Sequence, residues 1–223
     1  MRTLTDWLTP VNVYCERLDA GWWAEPVNAL TNIAFFIAGL LILAHRRPPA
    51  RVLGSLIILI GVGSFLFHTM ASRVTGLLDV LAIAVYLVTY AWLWPKWTQQ
   101  AGKLTQTLSV AGLLLAIALA TVASQWLAPA SPWVPPGSYL GAWIYLLVIA
   151  VMTTSAQQPG ASWLWFGAVT FVFSMAARQL DMPTCQTMGG THWAWHILNA
   201  VVLYASARAL LLGSSHLKAV REV

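Results

Sequence analysis

The sequence predicts an all-α integral membrane protein, a single bundle of seven transmembrane helices. Hydrophobic residues make up 59% of the 223-residue chain and charged residues only 9%, and the mean hydropathy is +0.70. Soluble globular domains carry about 25% charged residues, so this composition indicates a membrane protein. A hydropathy window of about 19 residues separates seven apolar segments, each long enough for one span. These segments are 26–45, 51–70, 75–95, 104–127, 138–154, 161–179 and 191–212.

Short connections rich in turn-forming residues join these segments. RRPPAR at 46–51 leads into the second segment, PASPWVPPGSY at 129–139 leads into the fifth, and QQPGAS at 157–162 leads into the sixth. We therefore expect an extracytoplasmic N-terminal segment (1–25), one membrane domain (26–212) and a cytoplasmic tail (213–223). The first 25 residues lack the basic start and apolar run of a cleavable signal peptide, so the first helix is expected to act as an uncleaved insertion signal.

The basic residues predict the orientation of the bundle. An N-terminus outside the membrane places most of them on the inner side, as the excess of Lys and Arg in cytoplasmic loops requires. The inner set is Arg46, Arg47, Arg51, Lys96, Lys103, Arg208, Lys218 and Arg221, and the outer set is Arg2, Arg17, Arg73 and Arg178. The prediction is an outer N-terminus and a cytoplasmic C-terminus. The net charge of +5 then reflects topology and does not indicate nucleic-acid binding.

Four ionisable side chains lie within or at the ends of these apolar segments. His68 is near the outer end of the second, Asp79 is about one turn inside the third, and His192 and His196 are in the first turns of the seventh. An ionisable residue inside a membrane helix costs about 3 kcal/mol on insertion scales, so four together require a common purpose. The predicted topology brings all four into one outer layer. A bound metal ion is the simplest explanation.

The histidines match the pattern of a catalytic zinc site. His192 and His196 are spaced i, i+4 and project from one face of a helix, and His68 would supply a third ligand from across the bundle. Three neutral imidazoles with an open fourth position are typical of catalytic Zn²⁺. Taken singly, each histidine could instead be a hydrogen-bonded core residue. Together they favour Zn²⁺ held by all three.

Asp79 and Ser64 are the candidate catalytic side chains. A carboxylate next to the metal can take a proton from the attacking water and return it to the leaving group. Ser64 lies four residues before His68 on the same helix face, so its hydroxyl can donate to a developing oxyanion. The alternative for Ser64 is a hydrogen bond to its own helix backbone. Arg178 and Asp181, spaced i, i+3, are most simply a local ion pair.

Two segments that contain these residues carry a family resemblance. GVGSFLFHTMASRVTGLLDVLAI at 61–83 and THWAWHILNAVVLYA at 191–205 resemble the alkaline ceramidases, part of the CREST superfamily of seven-helix membrane hydrolases. The shared pattern is Ser-x3-His, an Asp eleven residues later, and His-x3-His in the last helix. YCERLDAGWWAEPVNALTN at 14–32 and ARQLDMPTC at 177–185 extend the likeness over most of the core, which looks closest to the bacterial branch.

The resemblance implies a reaction, a substrate class and a location. Alkaline ceramidases hydrolyse the amide that joins a fatty acid to a long-chain base, with zinc on the three histidines, Asp79 acting on the attacking water and Ser64 beside it. The implied partner is a membrane lipid, ceramide or another N-acyl lipid, at a bacterial inner membrane with the active site towards the periplasm. Cys15 and Cys185 both fall on the oxidising outer side, and a disulfide between them resembles one in the ceramidases.

The resemblance also implies a possible Ca²⁺ site in the N-terminal segment. Glu16 and Glu25 match the two glutamates of the family, and Asp19 lies near the position of its asparagine. Carboxylate oxygens of this kind suit calcium. The sequence departs from the family where Val13 replaces the leading aspartate and where the loop is shorter. The alternative is that Glu16 and Arg17 form a solvated pair while Glu25 caps the first helix.

Other function classes fit the sequence less well. A retinal protein needs a lysine within a helix, whereas Lys96, Lys103 and Lys218 lie in inner-side segments. A transporter would need polar residues that continue to the inner side. A zinc-holding lipid receptor or lipid-binding protein without turnover remains the alternative, although it could dispense with Asp79 and Ser64. The sequence therefore predicts a zinc-dependent amide hydrolase acting on an N-acylated membrane lipid.

Overall fold

A computed structural model describes residues 4–128 and 134–221, and helices dominate this part of the chain. The helices are α1 (Leu4–Trp7), α2 (Pro26–Thr31), α3 (Ile33–Leu43), α4 (Pro48–Met70), α5 (Arg73–Thr98), α6 (Lys103–Leu127), α7 (Gly137–Ser155), α8 (Ala161–Leu180), α9 (Cys185–Met188) and α10 (His192–Arg221). The described ranges contain no strand, which confirms the all-α class. Arg2, residues 129–133 of the fourth connection and the side chains of Lys218 and Arg221 lie outside what the structure describes.

Six helical stretches of the described residues are long and apolar enough to cross a membrane. They are Pro26–Leu43, Pro48–Met70, Arg73–Thr98, Lys103–Leu127, Gly137–Ser155 and His192–Ser215. The first combines α2 and α3, which meet at Asn32. The predicted segment 161–179 is the helix α8, but it is less apolar than the other six. An integral membrane bundle is therefore supported with six spans, and α10 continues as a helix through most of the predicted tail 213–223.

The last long helix forms the centre of the bundle. In α10, 67% of the most apolar window is buried inside the protein, compared with 17% in α6. Helix α10 packs against α8, α3, α5, α2 and α4, whereas α6 contacts α5 and α7. Fully buried side chains such as Phe35, Ile57 and Leu210 fill the space around it. Residues on α10 are thus best placed to meet side chains from several other helices.

A tight turn between α4 and α5 holds Ser64 of α4 close to Asp79 of α5. Helix α4 ends where Ala71 adopts a left-handed conformation with φ 40°, and its N–H donates to the carbonyl of Phe67. Ser72 then caps α5 in a reciprocal arrangement with Thr75. Next to this turn, Gly63 of α4 faces α5 so closely that a Cβ there would lie 3.3 Å from the Cα of Asp79.

The N-terminal segment crosses the end of the bundle where α4 ends and α10 begins. The N–H of Val11 donates to the carbonyl of Ala71 over 2.7 Å. The predicted disulfide between Cys15 and Cys185 is confirmed, and it ties the segment to α9. Because the chain outside the helices is fixed at this end, the side chains of Cys15, Arg17 and Glu25 are buried, whereas Leu18 and Trp22 stay exposed.

The close approach of α6 and α7 gives a stability prediction with an internal control. Gly141 of α7 lies against the backbone of Ile117, where an added side chain would collide, whereas a Cβ on Gly112 of α6 would meet no atom of the other described residues within 4 Å beyond the adjoining backbone of its own helix. Overpacking costs about 1–3 kcal/mol, so Gly141→Val should lower the thermal midpoint in detergent by roughly 3–10 °C. Gly112→Val should leave it nearly unchanged. Equal midpoints for the two variants would contradict this helix contact.

Candidate metal centre

Three buried histidines converge at the end of the bundle that the N-terminal segment covers. His68, His192 and His196 are 1%, 2% and 1% exposed. The ring centroids lie 5.1 Å (His68 to His192), 4.7 Å (His68 to His196) and 4.6 Å (His192 to His196) apart. Each ring offers one nitrogen, and the three nitrogens lie within 4.8 Å of one another. The predicted grouping of these histidines is therefore present and could hold a metal ion.

The nitrogens that face one another are not satisfied by the protein. His68 Nε2, His192 Nδ1 and His196 Nε2 are buried and have no hydrogen-bond partner among the described residues. A buried polar atom left unpaired costs about 1–3 kcal/mol, so three at one point call for a ligand. Neutral imidazole nitrogens are common ligands of Zn²⁺ and related divalent ions. The donor set therefore fits a metal of this class.

The opposite nitrogens of two rings have partners that fix the protonation of the ligand atoms. His68 Nδ1 lies 2.6 Å from Oε2 of Glu25, so it donates to that carboxylate. His196 Nδ1 lies 2.9 Å from the hydroxyl of Thr31, whose own proton goes to a backbone carbonyl. A ring that donates from Nδ1 keeps Nε2 unprotonated and able to bind a metal. Both rings thus present a lone pair towards the cluster.

Glu25 is the centre of a buried network that holds His68. Its carboxylate accepts from Arg17 Nε at 2.5 Å and from Asn28 Nδ2 at 3.1 Å as well as from His68. Arg17 also donates to the carbonyl of His68. Burial alone would raise the pKa of Glu25, but the hydrogen bonds from His68, Arg17 and Asn28 outweigh it and hold that pKa below its ordinary value. An anionic Glu25 therefore orients the ring of His68.

The structure does not support the predicted calcium site. Glu16 accepts from the N–H groups of Val27 and Asn28 at 2.7 and 2.8 Å, Asp19 accepts from Gly21, and Glu25 faces His68. Within the described ranges, these three acids do not form a group that could hold a metal. The free N–H groups at the start of α2 attract Glu16 away from the others.

The alternative interpretation of these acids is also wrong. Arg17 is only 4% exposed and pairs with Glu25 rather than forming a solvated pair with Glu16. Glu25 occupies the cap position of α2 but makes no capping hydrogen bond with its side chain. A buried guanidinium requires a nearby anion, and Glu25 provides it.

Asp79 and Ser64 form a pair beside the histidines. Ser64 of α4 is 4% exposed, and its hydroxyl donates to the carboxylate of Asp79 on α5. Asp79 also interacts electrostatically with His68 and with Arg178. The Ser64 hydroxyl is thus engaged with Asp79, where the sequence suggested an oxyanion or its own backbone as partner. The close packing at Gly63 holds the two helices at the distance this hydrogen bond needs.

The predicted ion pair between Arg178 and Asp181 is wrong, because each residue has other partners. Asp181 accepts from the backbone N–H groups of Cys15, Thr191 and His192, each at 2.9 Å, and so secures the start of α10. Arg178 donates to the phenol oxygens of Tyr14 and Tyr139. The backbone donors at the start of a helix are strong competitors for a carboxylate.

Tyr14 is a site residue that the sequence did not reveal. Its ring stacks on His192 with a centroid distance of 3.6 Å and lies 5.2 Å from that of His68. Burial raises the pKa of Tyr14 above its ordinary range, so the hydroxyl keeps its proton. The available signal was its position next to Cys15, whose disulfide to Cys185 brings it to the start of α10.

An apolar cavity extends from this site into the bundle. It is a narrow cavity of about 50 Å³ between α5, α7, α8 and α10, and it opens to the surface of the bundle. Its lining includes Ile83, one turn beyond Asp79, and Asn199, one turn beyond His196. Tyr139 lines the same cavity. The cavity therefore lies directly below the polar residues of the site.

A comparison with protein families identifies one that matches nearly the whole chain. A family model described as Ceramidase matches residues 14–219, which include all the histidines of the cluster, Ser64 and Asp79. A comparison with curated proteins finds no match.

The hydrogen bond from His196 to Thr31 predicts an effect on metal affinity. Thr31→Val keeps the shape of the side chain but removes one of the two partners of the His196 ring, the other being the backbone of Asn28, and loss of such a partner typically weakens metal binding about 10- to 100-fold. Thr170→Val is the matched control, since the hydroxyl of Thr170 donates to the carbonyl of Phe166 in its own helix, α8. Competition with a chromophoric chelator measures both. Equal affinities in the two variants would contradict the assigned role of Thr31.

Proposed function

The chain belongs to the ceramidase family, and we propose that it is a zinc-dependent amide hydrolase that releases a fatty acid from an N-acylated membrane lipid such as ceramide. The observation that carries this proposal is the set of three buried imidazole nitrogens without partners, placed beside the Ser64–Asp79 pair. A structural metal site would need a fourth protein ligand, and the described residues offer three. An open position for reactants favours catalysis.

The histidines would hold the metal through their unpartnered nitrogens. His68 and His196 would bind through Nε2 and His192 through Nδ1. When bound, Zn²⁺ supplies Lewis acidity, which polarises a carbonyl and lowers the pKa of water. Glu25 and Thr31 keep two of the rings in the orientation and tautomer that this requires.

Asp79 is the proposed general base and acid. It takes a proton from the water that attacks the amide carbonyl carbon and gives that proton to the amide nitrogen as the carbon–nitrogen bond breaks. The products are a fatty acid and the free amine of the lipid base. Ser64 acts as a positioning residue, because its hydrogen bond fixes the orientation of the Asp79 carboxylate.

The apolar lining of the cavity supports an apolar substrate. Its walls are formed mainly by apolar and aromatic side chains, and its upper part lies one turn from Asp79 and from His196. An acyl chain in this cavity would bring its amide to the histidine cluster. The reaction would then occur within the depth of the membrane, where a lipid can enter from the side.

The proposed orientation places the site on the outer side of a bacterial inner membrane, with α8 as the seventh span. In support, the N-terminal segment, the disulfide and the histidines share one end of the bundle. Basic residues mark the other end, where Arg47 donates to the carbonyl of Leu211 and Arg208 to His45. Burial and the charges of Arg208 and Arg47 lower the pKa of His45, so it accepts this hydrogen bond as a neutral ring.

Two substitutions separate the metal from the proton transfer. The purified protein, incubated with ceramide and a panel of N-acyl lipids, should release fatty acid, lose this activity with a chelator and regain it with Zn²⁺. Asp79→Asn should lower turnover about 100- to 10,000-fold and retain the metal, because only the base is removed. His196→Ala should lose both the turnover and the bound metal. Asp19→Asn, a change in an exposed carboxylate whose side chain bonds to Gly21, is the control and should remain active.

Two outcomes would overturn this proposal. Full activity of Asp79→Asn on the preferred substrate would remove the assigned base. A protein that holds metal and binds the lipids of the panel but releases no fatty acid from any of them would be a lipid-binding protein or receptor instead.

A further inference from the structure

Arg178 is a guanidinium close to the reaction site whose hydrogen-bond partners are neutral. It lies in the last turn of α8 and donates to the phenols of Tyr14 and Tyr139, with its guanidinium 5.3 Å from the centre of the Tyr139 ring. Arg178 is only partly exposed, and a charge that is partly removed from water carries a cost unless it is paired with an opposite charge. Phenol oxygens satisfy hydrogen bonds, but they do not neutralise the cation.

Asp79 is the acid that acts on Arg178, but it is not bound to it. The interaction between Asp79 and Arg178 is electrostatic, whereas the hydrogen bond that Asp79 accepts comes from Ser64. Asp181, the nearest acid along the chain, is committed to three backbone N–H groups. The guanidinium therefore retains capacity for an anionic partner.

The two tyrosines connect Arg178 to both parts of the site. Tyr14 stacks on the ring of His192, so one side of Arg178 adjoins the histidine cluster. Tyr139 lines the apolar cavity and contacts Trp195 edge to face, so the other side adjoins the cavity. Each phenol that accepts from Arg178 still has its own proton to donate. A guanidinium and two hydroxyls thus converge where the head of a chain in the cavity would lie.

We propose that Arg178, together with Tyr14 and Tyr139, binds the carboxylate at the head of a long-chain acyl ligand whose tail occupies the cavity. The planar guanidinium donates two parallel hydrogen bonds to a carboxylate, a geometry that no neutral amide or alcohol reproduces. The inference rests on the proposed function for the origin of this carboxylate, because amide hydrolysis generates one at this place. Arg178 would then hold the released fatty acid.

The same carboxylate chemistry has a second source. An uncleaved N-acyl amino acid carries an acidic head group at the far side of its amide bond. Laurate represents the released fatty acid, and N-lauroylglycine represents the acidic substrate. Dodecanol, with the same chain and no charge, represents the contribution of the cavity alone.

Equilibrium binding of these three compounds to the purified protein with its metal tests the proposal. Wild-type protein should bind laurate at least 10-fold more tightly than dodecanol. Arg178→Gln should weaken laurate binding about 10- to 100-fold, the range for hydrogen bonds to charged groups, and leave dodecanol binding within twofold. Tyr139→Phe should weaken laurate binding by a smaller factor. Tyr145→Phe is the matched control, because Tyr145 lines the same cavity but bonds to Ser109.

The outcomes separate the possible sources and overturn the proposal if the site is wrong. Dependence of laurate binding on Arg178 assigns the site to the product, and dependence of N-lauroylglycine binding alone assigns it to an acidic head group. Discrimination against dodecanol that persists in Arg178→Gln means that the metal holds the carboxylate, and the proposal fails. If Arg178→Gln also loses dodecanol binding, the Tyr139→Phe variant provides the test. Weaker binding of laurate with unchanged binding of dodecanol supports the proposal, and unchanged binding of laurate overturns it. N-lauroylglycine binding is measured in the Asp79→Asn background, which is expected to retain the metal without turnover, so failure of the hydrolase assay does not affect this result.

Discussion

The meeting of three imidazole lone pairs inside a low-dielectric bundle is the constraint on which the other features depend. His68, His192 and His196 come from two helices, and none of the three facing nitrogens has a partner among the described residues. Without a cation, three buried nitrogens would stay unpaired, and each unpaired atom would lower the stability of the fold. The buried Glu25 network, the disulfide and the cap that Asp181 gives to α10 all hold the elements that bring these nitrogens together.

The sequence predicted those features that follow from the spacing along a helix. His192 and His196 share a face because they are four residues apart, and His68 joins them because its helix ends at the same level. The bundle class followed from composition. The resemblance to the alkaline ceramidases added the disulfide of Cys15 and Cys185, which the structure confirms.

The sequence could not predict the partners that are distant along the chain. Glu25 was predicted as a possible calcium ligand or a helix cap, but its location in the fold makes it the partner of His68 and Arg17. Asp181 lies three residues from Arg178, yet backbone donors of the N-terminal segment and of α10 engage it instead. Such pairings depend on how the helices are arranged in space. The spacing of residues within one helix does not determine that arrangement.

The disulfide between the N-terminal segment and α9 has a consequence for biogenesis. It joins residues 170 positions apart, and the metal ligands are divided between the second long helix and the last. During synthesis the early helices enter the membrane well before α10 leaves the ribosome. The chain therefore has no complete ligand set until α10 has been synthesised, whereas the disulfide can form as soon as Cys185 has left the ribosome and reached an oxidising compartment. No metal can be held by all three histidines before α10 joins the earlier helices.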